Sequence, residues 1–169
     1  MSYADLLRLK AVEEVLEKYY NSGSFKETIE YILKTHYKDN PFAFFDGLGK
    51  FYEEKAESSL SKKAQFEILH EYCNRVLGDD EITNALTCDY CISYRDNLSF
   101  MKQPYDLKER AFEFLKNTEN VNKYFSCHDE FLPAQLYKKL RFCEIGKRIY
   151  VFDYMKKIYY DITEDMPKG

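Results

Sequence analysis

Tyr19-Tyr20-Asn21-Ser22-Gly23-Ser24-Phe25 joins two helical patterns and sets the first corner of the chain. Across residues 4–20 the apolar side chains Leu6, Leu9, Val12, Leu16 and Tyr19 recur at three- and four-residue spacing, which lays one stripe along a helix. Asn21, Ser22 and Gly23 end that helix, because glycine enters the left-handed conformation without a Cβ penalty and asparagine tolerates it next best. Ser24 stands at capping-box spacing from Glu27, so the spacing predicts a new helix start in which each side chain satisfies a backbone donor. Phe25, Ile29, Ile32, Leu33 and His36 continue as a second stripe. A helical hairpin follows, with Tyr19 and Tyr20 near its corner.

The remaining chain repeats this pattern and then changes period. Asp39 or Asn40 is placed to cap a helix opening at Pro41, and Phe44, Phe45, Leu48, Phe51 and Tyr52 form its stripe. Gly47 and Gly49 inside it lack the strand and the longer glycine frame of a phosphate loop, which leaves close helix contact as their use. Residues 53–61 are charged and small and read as a connection. Ser61 caps a fourth helix carrying Phe66, Leu69, Tyr72, Cys73, Val76 and Leu77, ended by Gly78. Asp79 or Asp80 starts a fifth through about Tyr94, with Ile82, Leu86 and Tyr90 on one side. Residues 97–104 form a loop, and a domain break, if the chain had one, would fall near residues 98–104. Asp106 and Glu109 have capping-box spacing ahead of Leu107, Ala111, Phe114 and Leu115, and Thr118 is read as the cap of a last short helix reaching Phe125. From about Tyr137, β-branched and aromatic runs are separated by Gly146-Lys147 and by Met155-Lys156-Lys157, which predicts two or three antiparallel strands packed on the helices. The expectation is a mainly α fold, an irregular helical bundle of five to seven helices, with a small antiparallel β hairpin or three-stranded meander near the C-terminus. It is one domain over residues 1–169, helical over about 3–125 and β over about 137–163.

Composition narrows the function classes. At 169 residues a single domain buries roughly 70% of its unfolded surface, so folding requires neither disulfides nor a metal. Sixteen tyrosines and thirteen phenylalanines without a tryptophan predict helix seams filled by rings. A net charge of -4 with interspersed signs leaves no footprint for a phosphate backbone, so no nucleic acid is expected as a partner. Asp5, Arg8, Lys10, Glu13 and Glu14 exclude a signal-peptide apolar segment near Met1, and no run reaches membrane-spanning length. The chain is therefore expected to be cytoplasmic, away from membranes, with its five cysteines reduced.

A family resemblance supplies what physics does not. Leu9-Lys10-Ala11-Val12-Glu13-Glu14, the joint itself, Pro41-Phe42-Ala43-Phe44-Phe45-Asp46 and Tyr52-Glu53-Glu54 resemble a domain of unknown function found at the C-terminal end of cobalamin-binding radical S-adenosylmethionine (radical SAM) proteins. Residues 86–90 and Val151-Phe152-Asp153-Tyr154 resemble later landmarks of the same domain. The resemblance implies a non-catalytic accessory domain whose parent enzyme carries the S-adenosylmethionine-binding barrel, its iron-sulfur cluster and the cobalamin module upstream in the same polypeptide. Tyr19, Tyr20 and Asn21 would face that barrel, docking the domain or walling its substrate pocket. Asp153, with Tyr154 beside it, would be solvated or directed at the same partner. The bland reading of the joint is complete in itself: helix stop, turn and helix start, with two rings wedged at the corner. A second class of function is a stand-alone helical protein-protein interaction module, for which Met1 is a true start.

No catalytic constellation is legible. Radical SAM chemistry uses a Cys-x3-Cys-x2-Cys motif, and this chain has only the Cys88/Cys91 pair at comparable spacing. Cys88, Cys91, Cys127 and His128 are the residues able to form a four-ligand zinc site if the fold gathers them. Against this, Cys127 and His128 are adjacent, and helix cysteines commonly serve as small buried hydrophobes. The expectation is no stoichiometric zinc, no cofactor bound by this chain, and no nucleophile paired with a base.

Overall fold

The computed structural model describes residues 2–55, 60–128 and 130–168, with the backbone alone for Cys127. The connection read over 53–61 lies in part outside them. Among the described residues are eight α-helices and one three-stranded sheet, so the expected class holds with one helix more than the upper count. The chain divides into two compact units, Met1–Tyr90 and Cys91–Gly169. The division falls at the end of the fifth helix, upstream of the 97–104 loop.

The first unit begins with α1 (Tyr3–Val15), capped by a reciprocal Ser2–Asp5 box. A π-helical turn, Leu16–Asn21, extends α1 into the joint, and α2 is Lys26–Thr35. The predicted stripe of α1 is corrected: Ala11, Val12, Val15 and Tyr19 are buried, whereas Leu6 and Leu9 are about half exposed at 48% and 46%. The reason lies in α3 (Pro41–Lys55), where a Cβ on Gly49 would stand 3.2 Å from the Ala11 carbonyl carbon and oxygen. That close approach selects the Ala11 side of α1 as its buried face. Both inner glycines thus serve helix contact, Gly47 lying against the Tyr72 hydroxyl of α4 (Lys62–Val76). Asn40 caps α3 by accepting from the Ala43 amide, Ser61 caps α4, and Gly78 at φ +61° ends it. The last helix to start in this unit is α5 (Asp80–Cys91), whose entry is held by Asp79 accepting from the Glu81 amide.

In the second unit the order is α6 (Leu107–Lys116), α7 (Thr118–Phe125), a 3-10 turn (Ser126–His128), α8 (Pro133–Lys139) and strands β1 (Leu140–Ile145), β2 (Arg148–Asp153) and β3 (Ile158–Asp161). The strands form an antiparallel meander in that order, turning at Gly146-Lys147 and after Asp153 as the breaker residues predict. Two caps are corrected. Asp106 makes no capping hydrogen bond and sits in helical backbone geometry, and Asn117 rather than Thr118 caps α7 through the Glu119 amide. Helix α8 has no counterpart in the expected pattern: Pro133 opens it, and Gln135 reaches back to the Leu132 amide at 3.0 Å. One sheet face, with Phe142 paired to Val151, packs with Ala111, Phe114, Phe125 and Leu136 into a core that burial of apolar surface stabilises. No helix of the described residues is long and apolar enough to cross a membrane.

Candidate functional site

The side chains of the joint point in different directions. Tyr19 turns inward: it is 1% exposed, its hydroxyl donates to the Gln65 carbonyl at 3.0 Å, and its ring lies 4.8 Å from Phe25 and 6.1 Å from Tyr52. Burial holds its phenol well above the ordinary tyrosine range. Tyr20 is outside, 56% exposed, with its ring edge-on to Phe45. Asn21 is exposed and donates to Glu17 at 2.6 Å, while Gly23 takes the predicted left-handed turn at φ +68°. Of the joint's residues proposed to face a partner, the two with side chains at the surface are Tyr20 and Asn21.

The cap expected at Ser24 is made by another residue. Phe25 occupies the N-cap position of α2 without a side-chain bond, and the first-turn amides of Glu27 and Thr28 donate to the Asp89 carboxylate at 3.1 and 2.9 Å. The Thr28 hydroxyl adds a third bond at 2.7 Å. Asp89 is 7% exposed, and desolvation outweighs these bonds to push its carboxyl up to about 6. A buried carboxylate from α5 therefore closes the helix that follows the joint, where the positive end of the helix dipole favours it.

In the second unit, Asp153 is not solvated. It is 1% exposed, one carboxylate oxygen lies 3.1 Å from His128 Nε2, and the other accepts from the amides of Met155 and Lys156. The acid thereby shapes the β2–β3 turn, which reaches positive φ at Lys157. The Tyr154 hydroxyl lies 2.9 and 2.8 Å from the carbonyls of Cys91 and Tyr94, which ties that turn to the start of the second unit's own chain. Both residues have structural partners.

Cys88 belongs to the first unit, and Cys91 places its Sγ 3.6 Å from Cys143 Sγ. His128 bonds Asp153, and the Cys127 side chain lies outside the described residues. No group of three or more His, Cys, Asp or Glu able to hold a metal occurs among the described residues. The Cys143 thiol is drawn below its ordinary range by the Cys91 hydrogen bond and then by the Arg141 charge, whereas burial pushes Cys73 up to about 12. Asp89 carried no local sequence signal, because its partner amides lie 61 and 62 residues away.

A family model described as "Protein of unknown function (DUF4080)" matches residues 1–160. No curated protein and no solved structure matches the chain.

Proposed function

We propose, for a chain that belongs to the DUF4080 family of proteins of unknown function, that it is a non-catalytic accessory domain of a cobalamin-binding radical SAM enzyme. It docks on the catalytic barrel of that enzyme and shapes access to its substrate pocket. The parent supplies the S-adenosylmethionine, iron-sulfur and cobalamin chemistry, and this chain supplies surface. The observation that carries the reading is the start of α1. Tyr3, Leu6, Leu7 and Leu9 are 77%, 48%, 47% and 46% exposed. Phe42, 45% exposed, lies beside them, its ring centroid 5.6 Å from the Arg8 guanidinium. Clustered exposed apolar side chains mark interaction surfaces, since a helix that met only water would carry polar residues there.

The gene tests it. The reading frame should continue upstream of Met1 into a Cys-x3-Cys-x2-Cys motif and a cobalamin module. A stop codon immediately upstream of Met1 would sink the accessory role and leave the same leucines to a stand-alone interaction module.

A further inference from the structure

The second unit contains an open groove of about 630 Å³ along the outer edge of β1, with Leu140, Arg141 and Phe142 in its floor. Its charged lining is of one sign: Arg95, Lys108, Lys138 and Arg141, with no acid among the lining residues. The chain as a whole has a net charge of -4, so the groove is basic against the sign of the molecule.

Arg141 is the informative member. It is 9% exposed, and its guanidinium donates to the carbonyls of Tyr94 and Asp96 and to Asn97 Oδ1 at 2.8 Å. These partners are neutral oxygens, and no ion pair to Arg141 occurs among the described residues. Its hydrogen bonds are met while its charge is not, although buried charges ordinarily find an opposite charge. Lys108 and Lys138, at the rim and exposed, also lack an ion-pair partner among the described residues.

The groove's shape selects the kind of anion. Gln103 grips Glu144 of β1, accepting from its amide at 2.7 Å and donating to its carbonyl at 3.0 Å, and Arg95 donates to the Leu140 carbonyl. Side chains therefore cover this strand edge at both ends, which disfavours pairing with a peptide strand. The wall is aromatic: Tyr137 stacks on Phe112 at 4.5 Å and 21° and on Phe142 at 6.0 Å and 10°, and Tyr105 is fully exposed at the rim. The volume is of small-ligand size.

We propose that this groove binds a small molecule carrying an oxyanion, a phosphate or a carboxylate, on a flat ring. The oxyanion meets Lys108, Lys138 and the Arg141 field, and the ring lies against the Tyr105 and Tyr137 side. Charge-assisted contacts to the Lys108 and Lys138 ammonium groups supply the affinity, reinforced by the Arg141 charge behind them.

The test is a titration of the isotope-labelled chain with phenyl phosphate, benzoate and neutral benzyl alcohol, followed by amide shifts. Saturable shifts confined to residues around 103–108 and 137–142 are expected with at least one of the two anions. The tighter anion identifies the oxyanion. Lys108→Glu with Lys138→Glu, two surface changes that leave the core intact, should weaken that binding by about tenfold or more. Benzyl alcohol shifting the same amides equally, no saturation with either anion, or unchanged binding in the double variant would each overturn the proposal.

Discussion

Asp89 shows how one buried side chain couples the path of the backbone to pH. Its carboxyl is held at about 6 in the fold against an ordinary 3.8, so the folded chain takes up that proton more readily than the unfolded chain. For a raised acid the contribution is full below about pH 4 and is lost as the pH rises through about 6, amounting to about 3 kcal/mol. Asp89→Asn removes the titration while keeping an oxygen to accept from the α2 amides. Urea unfolding at pH 4 and pH 7 should show the wild type losing about 2 kcal/mol relative to Asp89→Asn over that interval, the rest of the effect lying below pH 4. Parallel stabilities at the two pH values would mean that the three hydrogen bonds compensate the burial in full. Asp153 is a second acid, for which the sequence left open solvent or an outside partner. The His128 contact that buries it comes from a residue 25 positions upstream. Such partners cannot be read from spacing, and for the same reason the Ser24–Glu27 pattern gave the place of a helix start but the wrong cap.

Helix contacts were legible where they depend on a residue's size. Gly47 and Gly49 stood out inside a helical stripe, and the structure puts a ring and a neighbouring backbone against them. Alanine at Gly49 gains about 1 kcal/mol of helix propensity, but its Cβ meets the Ala11 backbone at 3.2 Å, which gives way only if α1 shifts. We expect Gly49→Ala to be net destabilising by about 1–3 kcal/mol in thermal or urea unfolding. At Gly47 the obstacle is the Tyr72 hydroxyl, which an alanine methyl would overlap, with the next ring atom at 3.4 Å. Tyr72→Phe should therefore recover most of the loss caused by Gly47→Ala, and a double-mutant cycle showing plain additivity would contradict the contact. Periodicity failed where elements are short or interrupted. Helix α8 has seven residues with Leu136 as its buried one, too few for a stripe to register. Leu136→Ala should nonetheless cost about 2–5 kcal/mol, because its side chain is 0% exposed within the second unit's core. The stripe counted through Leu6 and Leu9 failed for another reason: α3 comes close at Gly49 and buries the Ala11 side of α1, which leaves those two leucines half outside.

The class of the fold and the order of its elements followed from caps, breakers and a change of period near the C-terminus; the division into two units did not. No proline- or glycine-rich linker marks it, since α5 runs to the division with Tyr90 on one side and Cys91 on the other. The basic groove was equally hidden, because Arg95, Lys108, Lys138 and Arg141 are scattered among acids in a chain of negative net charge. What the second unit does have is a self-contained core: Leu107, Ala111, Phe114, Leu115 and Phe125 from its helices close on Leu140, Phe142, Ile149 and Val151 from its sheet. A core whose members all come from one stretch of chain loses its protection as a unit when its largest buried ring is removed. Phe114→Ala takes out a ring that is 0% exposed and should destabilise by about 3–5 kcal/mol. Hydrogen exchange should then show the amides within 107–166 losing protection together, ahead of those of α2–α4. Equal losses throughout residues 2–168 would show that the chain opens as one cooperative domain, the organisation its length alone suggested.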